Sequence, residues 1–279
     1  MSRKIAMLAN ASHPNARTSL HEAADFFSQC DIEAVEIATQ DDAQGAELII
    51  VFGGDGTILY AAEFGRPLSI PILGINYGHV GFLNEADPDE LKRVIEQVVA
   101  GQWSAEDRMT IDVEVAYPDG RIERTWALNE AAVERAENAR MIGVDIGVDG
   151  RDLSSFKADT VVMSTATGST AYNFSGGGPI VWPDVECMLL TPIAAHALFT
   201  RPLVVGPHSR LEVRVIEENA RLWCDGRRLL EAPLGSTITV VKGHYPVRLA
   251  RLTNTPFSGR LVTKFQLPVH GWRGAGSRA

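Results

Sequence analysis

The sequence predicts an α/β domain followed by a mostly β domain. In the first hundred residues, apolar runs of strand length alternate with segments whose apolar residues recur at helical spacing. From about Trp103 to about residue 252, apolar residues instead alternate with polar ones, and turn residues separate the runs. This change of period predicts a domain boundary near Trp103, with no low-complexity linker and no internal repeat.

The first domain is predicted to alternate strand and helix. Residues 1–10 contain an apolar run that is too short for a signal peptide and fits a first strand. A helix is predicted next, because apolar residues recur at helical spacing at Leu20, Ala23, Ala24 and Phe27. Three further strands are predicted at residues 32–38, 47–52 and 69–76.

The last helix of this domain has the clearest start and end. Asp87-Pro88-Asp89-Glu90 supplies an N-cap, a proline at the first helical position and a glutamate three residues after the cap. The apolar face that follows consists of Leu91, Val94, Ile95, Val98 and Val99. Gly101 is a good stop, so we expect an amphipathic helix that ends there.

The second domain carries strand-like alternation. Its predicted strands include residues 111–117, 144–148, 160–163, 211–215 and 237–241. Turns are predicted at Pro118-Asp119-Gly120 and Asp149-Gly150. Helical periodicity is nearly absent from this half of the chain.

Composition and charge limit the classes of function. The chain has 279 residues, of which 45% are apolar and 22% charged, as is usual for a globular protein that needs no disulfide support. The net charge of -9 argues against nucleic-acid binding, since no basic stripe is present. No stretch has the length of a membrane span. Cys30, Cys187 and Cys224 are widely separated and fit reduced thiols, so we expect a cytoplasmic protein with no membrane association.

The glycine-rich stretch Gly53-Gly54-Asp55-Gly56-Thr57 is the first candidate site. It follows a predicted strand and precedes an apolar helical segment, for which Thr57 is a candidate N-cap. Glycines let backbone N–H groups approach phosphate oxygens, and a helix N-terminus favours negative charge. A carboxylate in such a loop would repel phosphate unless it binds a metal or accepts a proton from an attacking hydroxyl. The alternative is a strand-to-helix turn that Asp55 merely caps.

Two further stretches are candidates for ligand binding. Asn129-Glu130 ends the strand-like run 126–128, in a segment that then stays polar, and its side chains can hydrogen-bond base edges or ribose hydroxyls. An ordinary strand end is the alternative. Residues Ser164 to Pro179 are mainly small, hydroxylic or glycine, and we expect that they cannot form core. They fit a backbone-lined nucleotide pocket closed on one side by Tyr172, with a flexible loop as the alternative.

Together these stretches resemble the NAD kinase family, and the resemblance covers nearly the whole chain. It also includes Gly78-His79-Val80-Gly81-Phe82, Thr191-Pro192 with His196, Arg201-Pro202 and Cys224-Asp225-Gly226. Gly-Gly-Asp-Gly alone is shared with lipid kinases and phosphofructokinases, whereas the combination in this order is specific. The ending, with Lys264 to Val269 and Gly271-Trp272-Arg273, is similar to actinobacterial members.

The resemblance implies a fold and an activity. A Rossmann-like α/β domain at residues 1–102 would be completed by a returning segment at 256–279, and a β-rich dinucleotide-binding domain would span 103–255. The implied enzyme phosphorylates the 2′-hydroxyl of the adenosine ribose of NAD to give NADP, with ATP or polyphosphate as donor. Loop amides recognise phosphate and not base, so the donor stays open from the residues alone.

The resemblance also assigns roles to residues. Asp55 is expected to be the general base, and Gly53, Gly54, Gly56 and Thr57 are expected to lie against phosphates. The residues expected to bind the dinucleotide are Gly56, Phe82 as a pocket wall, Asn129, Glu130, Lys157, Asp159, Thr167, Thr170, Ala171, Tyr172, Asn173, Phe174 and Ser175. Lys157 falls where a basic residue reaches a neighbouring subunit's site, which implies a homodimer or homotetramer.

Three positions depart from the family's pattern. Tyr60 stands where many members have a basic residue near the phosphates, Thr160 replaces a glycine after Asp159, and Arg227 replaces a glutamine. Without a Walker-type lysine segment, loop amides and a divalent metal must neutralise the transferring phosphoryl group. We expect Mg²⁺ that arrives bound to the phosphates, with no protein metal ligands, because no carboxylate cluster has ligand spacing.

Two other functions stay open from the residues alone. A lipid or sugar kinase would share the glycine loop, although a lipid kinase should show an apolar acceptor cleft. A dinucleotide-sensing protein would hold NAD or NADP without turnover. A sensor gains nothing from an unpaired carboxylate beside phosphates, so Asp55 favours an enzyme.

Overall fold

The computed structural model describes residues 3–78, 81–137, 139–198, 200–253 and 255–269. The chain divides into two compact units. The first unit contains the chain up to Asp107 and from Val247 onward, and the second contains Arg108–Pro246. These limits differ by several residues from the predicted 1–102 with 256–279 and 103–255.

The described residues form strands and helices whose bounds follow in chain order. The strands are β1 (Lys4–Ala9), β2 (Glu33–Glu36), β3 (Leu48–Phe52), β4 (Ile72–Ile75), β5 (Ser104–Arg108), β6 (Ile111–Ala116), β7 (Ile122–Ala127), β8 (Glu130–Arg135), β9 (Ile142–Val148), β10 (Arg151–Ala158), β11 (Thr160–Thr165), β12 (Met188–Ile193), β13 (Leu203–Val205), β14 (Leu211–Glu217), β15 (Ala220–Cys224), β16 (Arg228–Ala232), β17 (Thr237–Lys242) and β18 (Val247–Arg251). The α-helices are α1 (Pro14–Gln29), α2 (Asp55–Leu68), α3 (Leu91–Val99), α4 (Tyr172–Ser175) and α5 (Phe257–Phe265). Short 3₁₀ helices cover Gln40–Ala43, Pro88–Glu90 and Thr167–Thr170.

The first unit is built on a six-stranded sheet in the order β2-β1-β3-β4-β18-β5. β1 pairs in parallel with β2 and β3, and β4 pairs in parallel with β3 and β18. The chain moves from β1 to β2 in one direction and from β3 to β4 in the other, so the winding reverses between β1 and β3. In such sheets ligands bind beyond the carboxyl ends of the strands at this reversal. The glycine-rich stretch follows β3 and lies there.

Helices cover both faces of this sheet, which explains why its central strands are apolar throughout. All five residues of Leu48–Phe52 are buried. Leu48 and Ile50 share a core cluster with residues of α1 and α3. Ile49 contacts α2 instead, where a Cβ added to Gly65 would lie 3.2 Å from its Cδ1. The predicted strand at 47–52 is therefore confirmed, and its alternate residues serve opposite faces.

The helix predicted between Asp87 and Gly101 is confirmed. A capping box closes its start, with the Asp87 N–H donating to Glu90 Oε2 at 3.1 Å. A 3₁₀ turn over Pro88–Glu90 leads into α3. Gly101 has a φ of +67°, the left-handed conformation that glycine adopts readily after a helix end.

The first sheet includes two strands that the sequence placed in the second domain. β5 and β18 lie at one edge of this sheet, where Leu249 pairs with Ile72 of β4. The apolar residues of β18 alternate as they would in either kind of sheet, and β5 has almost no apolar residues, so the sequence does not show the partners of these strands. α5 follows in the same unit, and residues 270–279 of the predicted returning segment lie outside the described residues.

The second unit consists of two antiparallel sheets, in the orders β10-β9-β14-β17-β6-β7 and β13-β12-β11-β8-β15-β16. Val113 and Val144 of the first sheet share one core cluster with Val133 and Met163 of the second. The two sheets therefore pack face to face around a common apolar layer. The prediction of a mostly β second domain is confirmed.

The segment after Asn129 is a buried strand, not the polar segment that the sequence suggested. Glu130–Arg135 forms β8, whose first four residues are buried. β8 pairs with β11 on one side and β15 on the other, inside its sheet. Ala131 and Ala132 carry little apolar surface, so the local pattern gave a weak indication of burial.

The cysteines are free thiols, as predicted. Cys30 is exposed, and Cys187 and Cys224 are buried. Burial raises the pKa of the Cys224 thiol to about 12, so this thiol is unreactive near neutral pH. In the part of the chain that the structure describes, no helix is long and apolar enough to cross a membrane.

Candidate functional site

The glycine-rich stretch forms the turn from β3 into α2. Gly53 N–H makes a bond of 2.9 Å to the Ile75 carbonyl of β4, after which the chain leaves the sheet. α2 begins at Asp55, with Gly54 as its N-cap residue. The Gly54 carbonyl accepts a hydrogen bond of 2.9 Å from Thr57 N–H, so Thr57 is already inside the first helical turn. The prediction that Thr57 caps the helix is wrong.

The glycines of this turn differ in the space around them. A Cβ on Gly53 would lie 2.3 Å from Thr57 Oγ1, so this position has no room for a side chain. A Cβ on Gly54 or Gly56 would meet no atom of the described residues within 4 Å. The backbone at these two glycines is open, and the first N–H groups of a helix have no partner within the helix. An anion can therefore approach this turn closely.

The Asp55 carboxylate accepts three hydrogen bonds within the first unit. Phe82 N–H donates to Oδ2 at 2.8 Å, while Leu83 N–H and Asn84 Nδ2 donate to Oδ1 at 3.1 and 3.0 Å. The expectation from the sequence that this carboxylate is unpaired is wrong. Each carboxylate oxygen offers two lone pairs, so Oδ1 is saturated and Oδ2 keeps one acceptor site among the described contacts. The carboxylate is thus oriented and still able to accept a proton.

The donors come from the segment 81–84, which lies directly against Asp55. A Cβ on Gly81 would lie 2.2 Å from Asp55 Oδ1, so only glycine fits there. The Phe82 ring is buried against Phe257 and Phe265 of α5, with ring centroids 5.7 and 5.9 Å apart. The Phe82 ring thus packs on α5 and its N–H binds Asp55, and its role as a pocket wall stays a prediction. The two preceding motif residues, 79 and 80, lie outside the described residues.

In the second unit, Asn129 and Glu130 lie at a turn that one buried carboxylate organises. Asp225 accepts hydrogen bonds from Leu128 N–H at 2.9 Å and Asn129 N–H at 2.7 Å, and its side chain is fully buried. Arg228 Nη2 donates to the same carboxylate at 2.7 Å. The role of Asp225 is not visible in the sequence, because its backbone partners are 96 and 97 positions away and no local pattern connects them.

The same turn is fixed from two other sides. Arg228 Nη2 also donates to the Trp126 carbonyl at 2.8 Å, and its guanidinium lies 4.4 Å from the centroid of the Trp126 ring. Thr165 Oγ1 donates to the Leu128 carbonyl at 2.6 Å. A Cβ on Gly168 would lie 2.0 Å from the Asn129 carbonyl oxygen, so a glycine is required at that contact. The backbone that carries Asn129 and Glu130 is therefore rigidly held.

Glu130 is buried, and its Oε2 has no hydrogen-bond partner among the described residues. Burial, together with the neighbouring Asp225 charge, raises the pKa of Glu130 to about 8, while the Tyr172 backbone N–H opposes the shift. Burial also raises the pKa of Asp225, against the effect of its donors, Leu128 N–H and Arg228. The raised pKa favours the protonated form of Glu130 near neutral pH, and in that form its carboxyl group can donate a hydrogen bond as well as accept one.

A cavity of about 510 Å³ in the second unit contains three of the residues that the sequence singled out. Asp159, Thr160 and Tyr172 line it, and the Thr160 hydroxyl lies 3.3 Å from the Tyr172 hydroxyl. The other six lining residues were not expected from the sequence, and they include Arg135, Arg221 and Trp223. These three come together only through the pairing of β8 with β15, which no motif indicates. The volume is in the usual range for a small-molecule site.

The segment from Ser164 to Pro179 is largely interior, so the expectation that it cannot form core is wrong. Its fully buried residues include Ser164, Thr165, Ser169 and Asn173. Hydrogen bonds compensate for the polar atoms, as where Val181 N–H donates to Ser169 Oγ at 2.9 Å. A 3₁₀ helix and α4 give the segment regular structure, which argues against the alternative of a flexible loop.

Asn173 has a structural position in this segment. Its Nδ2 donates to the carbonyls of Ser169 at 3.2 Å and Pro179 at 3.1 Å, and its Oδ1 accepts from Thr191 Oγ1 at 2.6 Å. The side chain is fully buried and holds the segment together, and its contact with a ligand stays a prediction. Of the other predicted contacts here, Thr167 is buried, Thr170, Ala171 and Tyr172 are half-buried, and Phe174 and Ser175 are exposed.

Lys157 lies on β10 and makes an ion pair within the chain. Its Nζ lies 2.6 Å from Glu217 Oε1, and both side chains are about half exposed. The Lys157 carbonyl accepts a hydrogen bond of 2.8 Å from His196 N–H. Neither contact is visible in the sequence, and the role of Lys157 toward another subunit stays a prediction.

Comparison with known proteins identifies the family. Residues 6–103 match the ATP-NAD kinase N-terminal domain, and residues 128–252 match the ATP-NAD kinase C-terminal domain. The chain belongs to the NAD kinase family. NAD kinase of Thermobifida fusca is 54% identical over 250 residues, which cover 87% of this chain and 76% of that protein. NAD kinase 2 of Streptomyces avermitilis is 51% identical over 257 residues, which cover 91% of this chain and 85% of that protein. The predicted resemblance to actinobacterial NAD kinases is confirmed.

Solved structures of NAD kinases share the fold. The NAD kinase from Archaeoglobus fulgidus in complex with ATP has a TM-score of 0.76 and 28% identity, covering 94% of this chain and 98% of that chain. Yeast NADH kinase complexed with NADH has a TM-score of 0.88 and 22% identity, covering 96% of this chain and 88% of that chain. The second likeness concerns the fold alone. The predicted NAD kinase architecture, a Rossmann-like α/β domain with a mostly β domain, is confirmed.

The structure shows the surroundings of the three residues that depart from the NAD kinase pattern. The Tyr60 ring packs edge-to-face on Phe64, with centroids 5.1 Å apart. Thr160 begins β11 and pairs regularly with its neighbours on both sides, so the replacement of glycine leaves a normal strand backbone. Arg227 is exposed.

Proposed function

We propose that this protein is an NAD kinase, a phosphotransferase that converts NAD to NADP by phosphorylating the 2′-hydroxyl of the adenosine ribose. Family membership supports the enzyme class, since relatives about half identical to this chain are named NAD kinases. The observation that carries the mechanism is the Asp55 carboxylate, which three donors orient at the N-terminus of α2 beside an open glycine turn. This arrangement supports a proton acceptor next to a surface for phosphate.

In this mechanism Asp55 is the general base. A ribose hydroxyl is a poor nucleophile near neutral pH, and a positioned base typically contributes ~10²- to 10⁴-fold. As the 2′-oxygen bonds to the terminal phosphorus of the donor, its proton passes to the remaining lone pair of Asp55 Oδ2. The bond from that phosphorus to its bridging oxygen breaks, and ADP leaves when ATP is the donor. One phosphoryl group and one proton are transferred, so the step balances.

The donor phosphates are assigned to the turn at Gly53, Gly54, Gly56 and Thr57. Its open backbone and the N-terminus of α2 support this assignment. ATP is the preferred donor in the proposal because a related NAD kinase was solved with ATP, while polyphosphate presents the same phosphate chemistry. Among the described residues, no three His, Cys, Asp or Glu side chains are grouped to hold a metal, so Mg²⁺ is proposed to enter with the phosphates and neutralise their charge.

NAD recognition is assigned to the second unit. The buried Oε2 of Glu130 supports this, because a buried polar atom without a partner is unfavourable unless a ligand completes its hydrogen bonds. Asn129, held on the same turn, contributes its amide, and Asp159 and Tyr172 contribute from the cavity. The exposed or half-buried Thr170, Ala171, Phe174 and Ser175 remain candidate contacts of the dinucleotide.

The test is direct. The purified protein is incubated with NAD, Mg²⁺ and either ATP or polyphosphate, and NADP is measured with an NADP-specific dehydrogenase. We expect NADP with ATP, with polyphosphate as the alternative donor, and phosphorylation of neither diacylglycerol nor fructose 6-phosphate. Binding of NAD without any NADP would establish the sensor instead, and phosphorylation of a lipid or sugar in place of NAD would establish the other kinase class.

Two properties complete the proposal. The protein acts as a homo-oligomer, a dimer or a tetramer, and it acts in the cytoplasm. The exposed position of Lys157 on β10 supports the first, and the free thiols support the second.

A further inference from the structure

Asn84 is the residue that connects the Asp55 carboxylate to the support provided by α5. Its side chain is buried, with 5% of its surface exposed, and its Nδ2 lies 3.0 Å from Asp55 Oδ1. The other two donors to Asp55 are backbone N–H groups, which every residue except proline supplies. Among the described residues, Asn84 is therefore the side chain on which the orientation of Asp55 depends.

α5 and β18 hold the backbone at Asn84 in place. Arg260 of α5 donates a hydrogen bond to the Asn84 carbonyl and lies 2.7 Å from Glu85 Oε2. Arg251 of β18 lies 3.1 Å from the same oxygen and donates to the Leu83 carbonyl at 3.3 Å. The Glu85 side chain is fully buried between these two arginines, whose side chains are 11% and 15% exposed. A buried, paired network of this kind resists displacement of the backbone that it anchors.

The side-chain oxygen of Asn84, unlike its Nδ2, lies in surroundings that are unfavourable for the stability of the fold. Its Oδ1 is buried and has no hydrogen-bond partner among the described residues. It faces Gly74 of β4, where an added Cβ would lie 2.6 Å away, and the side chain of Ile58 is also close to that point. A buried carbonyl oxygen without a donor costs free energy of folding. An apolar side chain of similar size would avoid that cost, so packing alone does not account for an asparagine at this position.

We infer that Asn84 is a positioning residue, whose amide saturates Asp55 Oδ1 and so leaves Oδ2 as the oxygen that receives the proton. The inference rests on the proposed function, because it concerns the same base. Asn84 touches neither reacting atom in this assignment and acts through Asp55. Positioning of reacting groups is sensitive, since a displacement of about 1 Å can lower turnover by about 10²-fold.

The test is a double-mutant cycle measured as NADP formation. Asn84→Leu keeps the size of the side chain and removes the donor, and Asp55→Asn removes the base. Asn84→Leu is expected to lower kcat by roughly 10- to 100-fold with the KM for NAD unchanged. In the Asp55→Asn background the same change should alter kcat by less than about twofold, because there is no base left to orient. The melting temperature of Asn84→Leu should equal or exceed that of the parent.

Gln40→Leu is the matched control. Gln40 Nε2 also donates one hydrogen bond to α2, to the Phe64 carbonyl at 3.0 Å, at the end of the helix away from Asp55. The Gln40→Leu variant should keep the parental kcat. Asn84→Ser, which retains a donor, should give a kcat between those of the parent and Asn84→Leu, and it replaces Asn84→Leu if that variant does not fold.

The outcomes separate this inference from the proposed function. A parent protein that forms no NADP would contradict the proposed function. An active parent whose kcat is unaffected by Asn84→Leu would overturn the role of Asn84 alone. So would a fall in kcat of equal size with and without Asp55, since that would show Asn84 acting independently of the base.

Discussion

Three carboxylates of this chain have different surroundings, and the differences separate their roles. Asp55 is half-buried and keeps one acceptor site beside an open turn, which suits a group that takes a proton. Asp225 is fully buried and is matched by Arg228 and backbone N–H groups, which suits an anchor. Glu130 lies beside Asp225 with a buried oxygen that has no partner among the described residues, which suits a group completed by a ligand.

Asp55→Asn keeps the shape of the side chain and removes the base. We expect kcat to fall by roughly 10²-fold or more, since a positioned general base contributes ~10²- to 10⁴-fold. The affinity for NAD should change little, as expected for an interaction made mainly in the transition state. Steady-state kinetics and calorimetry measure the two quantities. Near-parental turnover in a folded Asp55→Asn protein would remove Asp55 from the mechanism.

The raised pKa of Glu130 predicts a pH dependence of stability. In the folded protein Glu130 holds its proton up to about pH 8, whereas in the unfolded chain it ionises at its ordinary value of about 4.5. Between these values the folded state holds more protons, so this group lowers the free energy of unfolding as pH rises. Gln cannot ionise. The melting temperature of Glu130→Gln, relative to the parent, should therefore rise between about pH 5 and about pH 8 and then level off.

Glu123→Gln is the control for this series. The Glu123 side chain is 42% exposed and pairs with Arg121 at 3.3 Å in the same unit. The melting temperature of the Glu123→Gln variant should differ from that of the parent by a small amount that does not grow with pH. If the melting temperatures of Glu130→Gln and the parent change with pH in parallel, Glu130 is ionised throughout this pH range. That result would contradict the raised pKa of Glu130.

The sequence predicted the base but not the residues that hold it. Asp55 lies in a short glycine motif, whose chemistry is local and therefore visible. Asn84 lies 29 positions from its partner, and Asp225 lies 96 positions from Asn129, so their contacts exist only in the fold. The motif that contains Asn173 likewise gives no sign that its side-chain amide makes hydrogen bonds inside the protein.

At the scale of elements, β15 and β16 hold the turn before β8 through the pair of Asp225 and Arg228. Arg228→Leu would leave the Asp225 carboxylate buried with backbone donors alone. Removing one partner of a buried pair costs about 3 kcal/mol or more, so the urea midpoint of the second unit should fall clearly. The affinity for NAD should fall as well, because the Asn129 backbone loses part of its support. Urea titration and calorimetry test both expectations.

Arg124→Leu is the matched control for Arg228→Leu. Arg124 pairs with Glu114 at 2.8 Å, but its side chain is 72% exposed. An exposed pair contributes about 1 kcal/mol or less, so this variant should keep nearly the parental midpoint and the parental affinity for NAD. Equal effects of the two substitutions would contradict a special role for the buried pair.

Elements with local start and end signals were predictable, and elements defined by their partners were not. The capping box at Asp87 and Glu90 and the glycine at 101 fix the ends of one helix from nearby residues alone. β18 carries an ordinary alternating pattern, and only its pairing with β4 places it in the first sheet. β8 was missed because alanines in a central strand give little apolar contrast.

At the scale of the whole molecule, charge is the main constraint. The net charge is -9, while NAD and a phosphoryl donor both bring negative charge. Tyr60 packs on Phe64 at the position where a basic residue was expected, and the helix that follows the glycine turn gains no cation there. Positive charge near the substrates can therefore come from backbone N–H groups, a divalent metal, the cavity residues Arg135 and Arg221, or a basic residue of another subunit.

The last prediction is that Lys157 supplies that charge to a neighbouring subunit of a homo-oligomer, for which a two-fold dimer is the smallest form. The exposed ion pair of Lys157 with Glu217 contributes about 1 kcal/mol or less to stability. Lys157 can therefore leave Glu217 for a substrate phosphate at little cost in free energy. Subunits with Asp55→Asn and subunits with Lys157→Ala, each weakly active alone, should regain NADP formation when mixed and allowed to exchange. Lys242→Ala, which breaks the similar surface pair with Glu186, should keep parental activity by itself. A fully active protein whose scattering mass equals that of one chain would exclude shared sites, and so would mixtures that never exceed the sum of their parents.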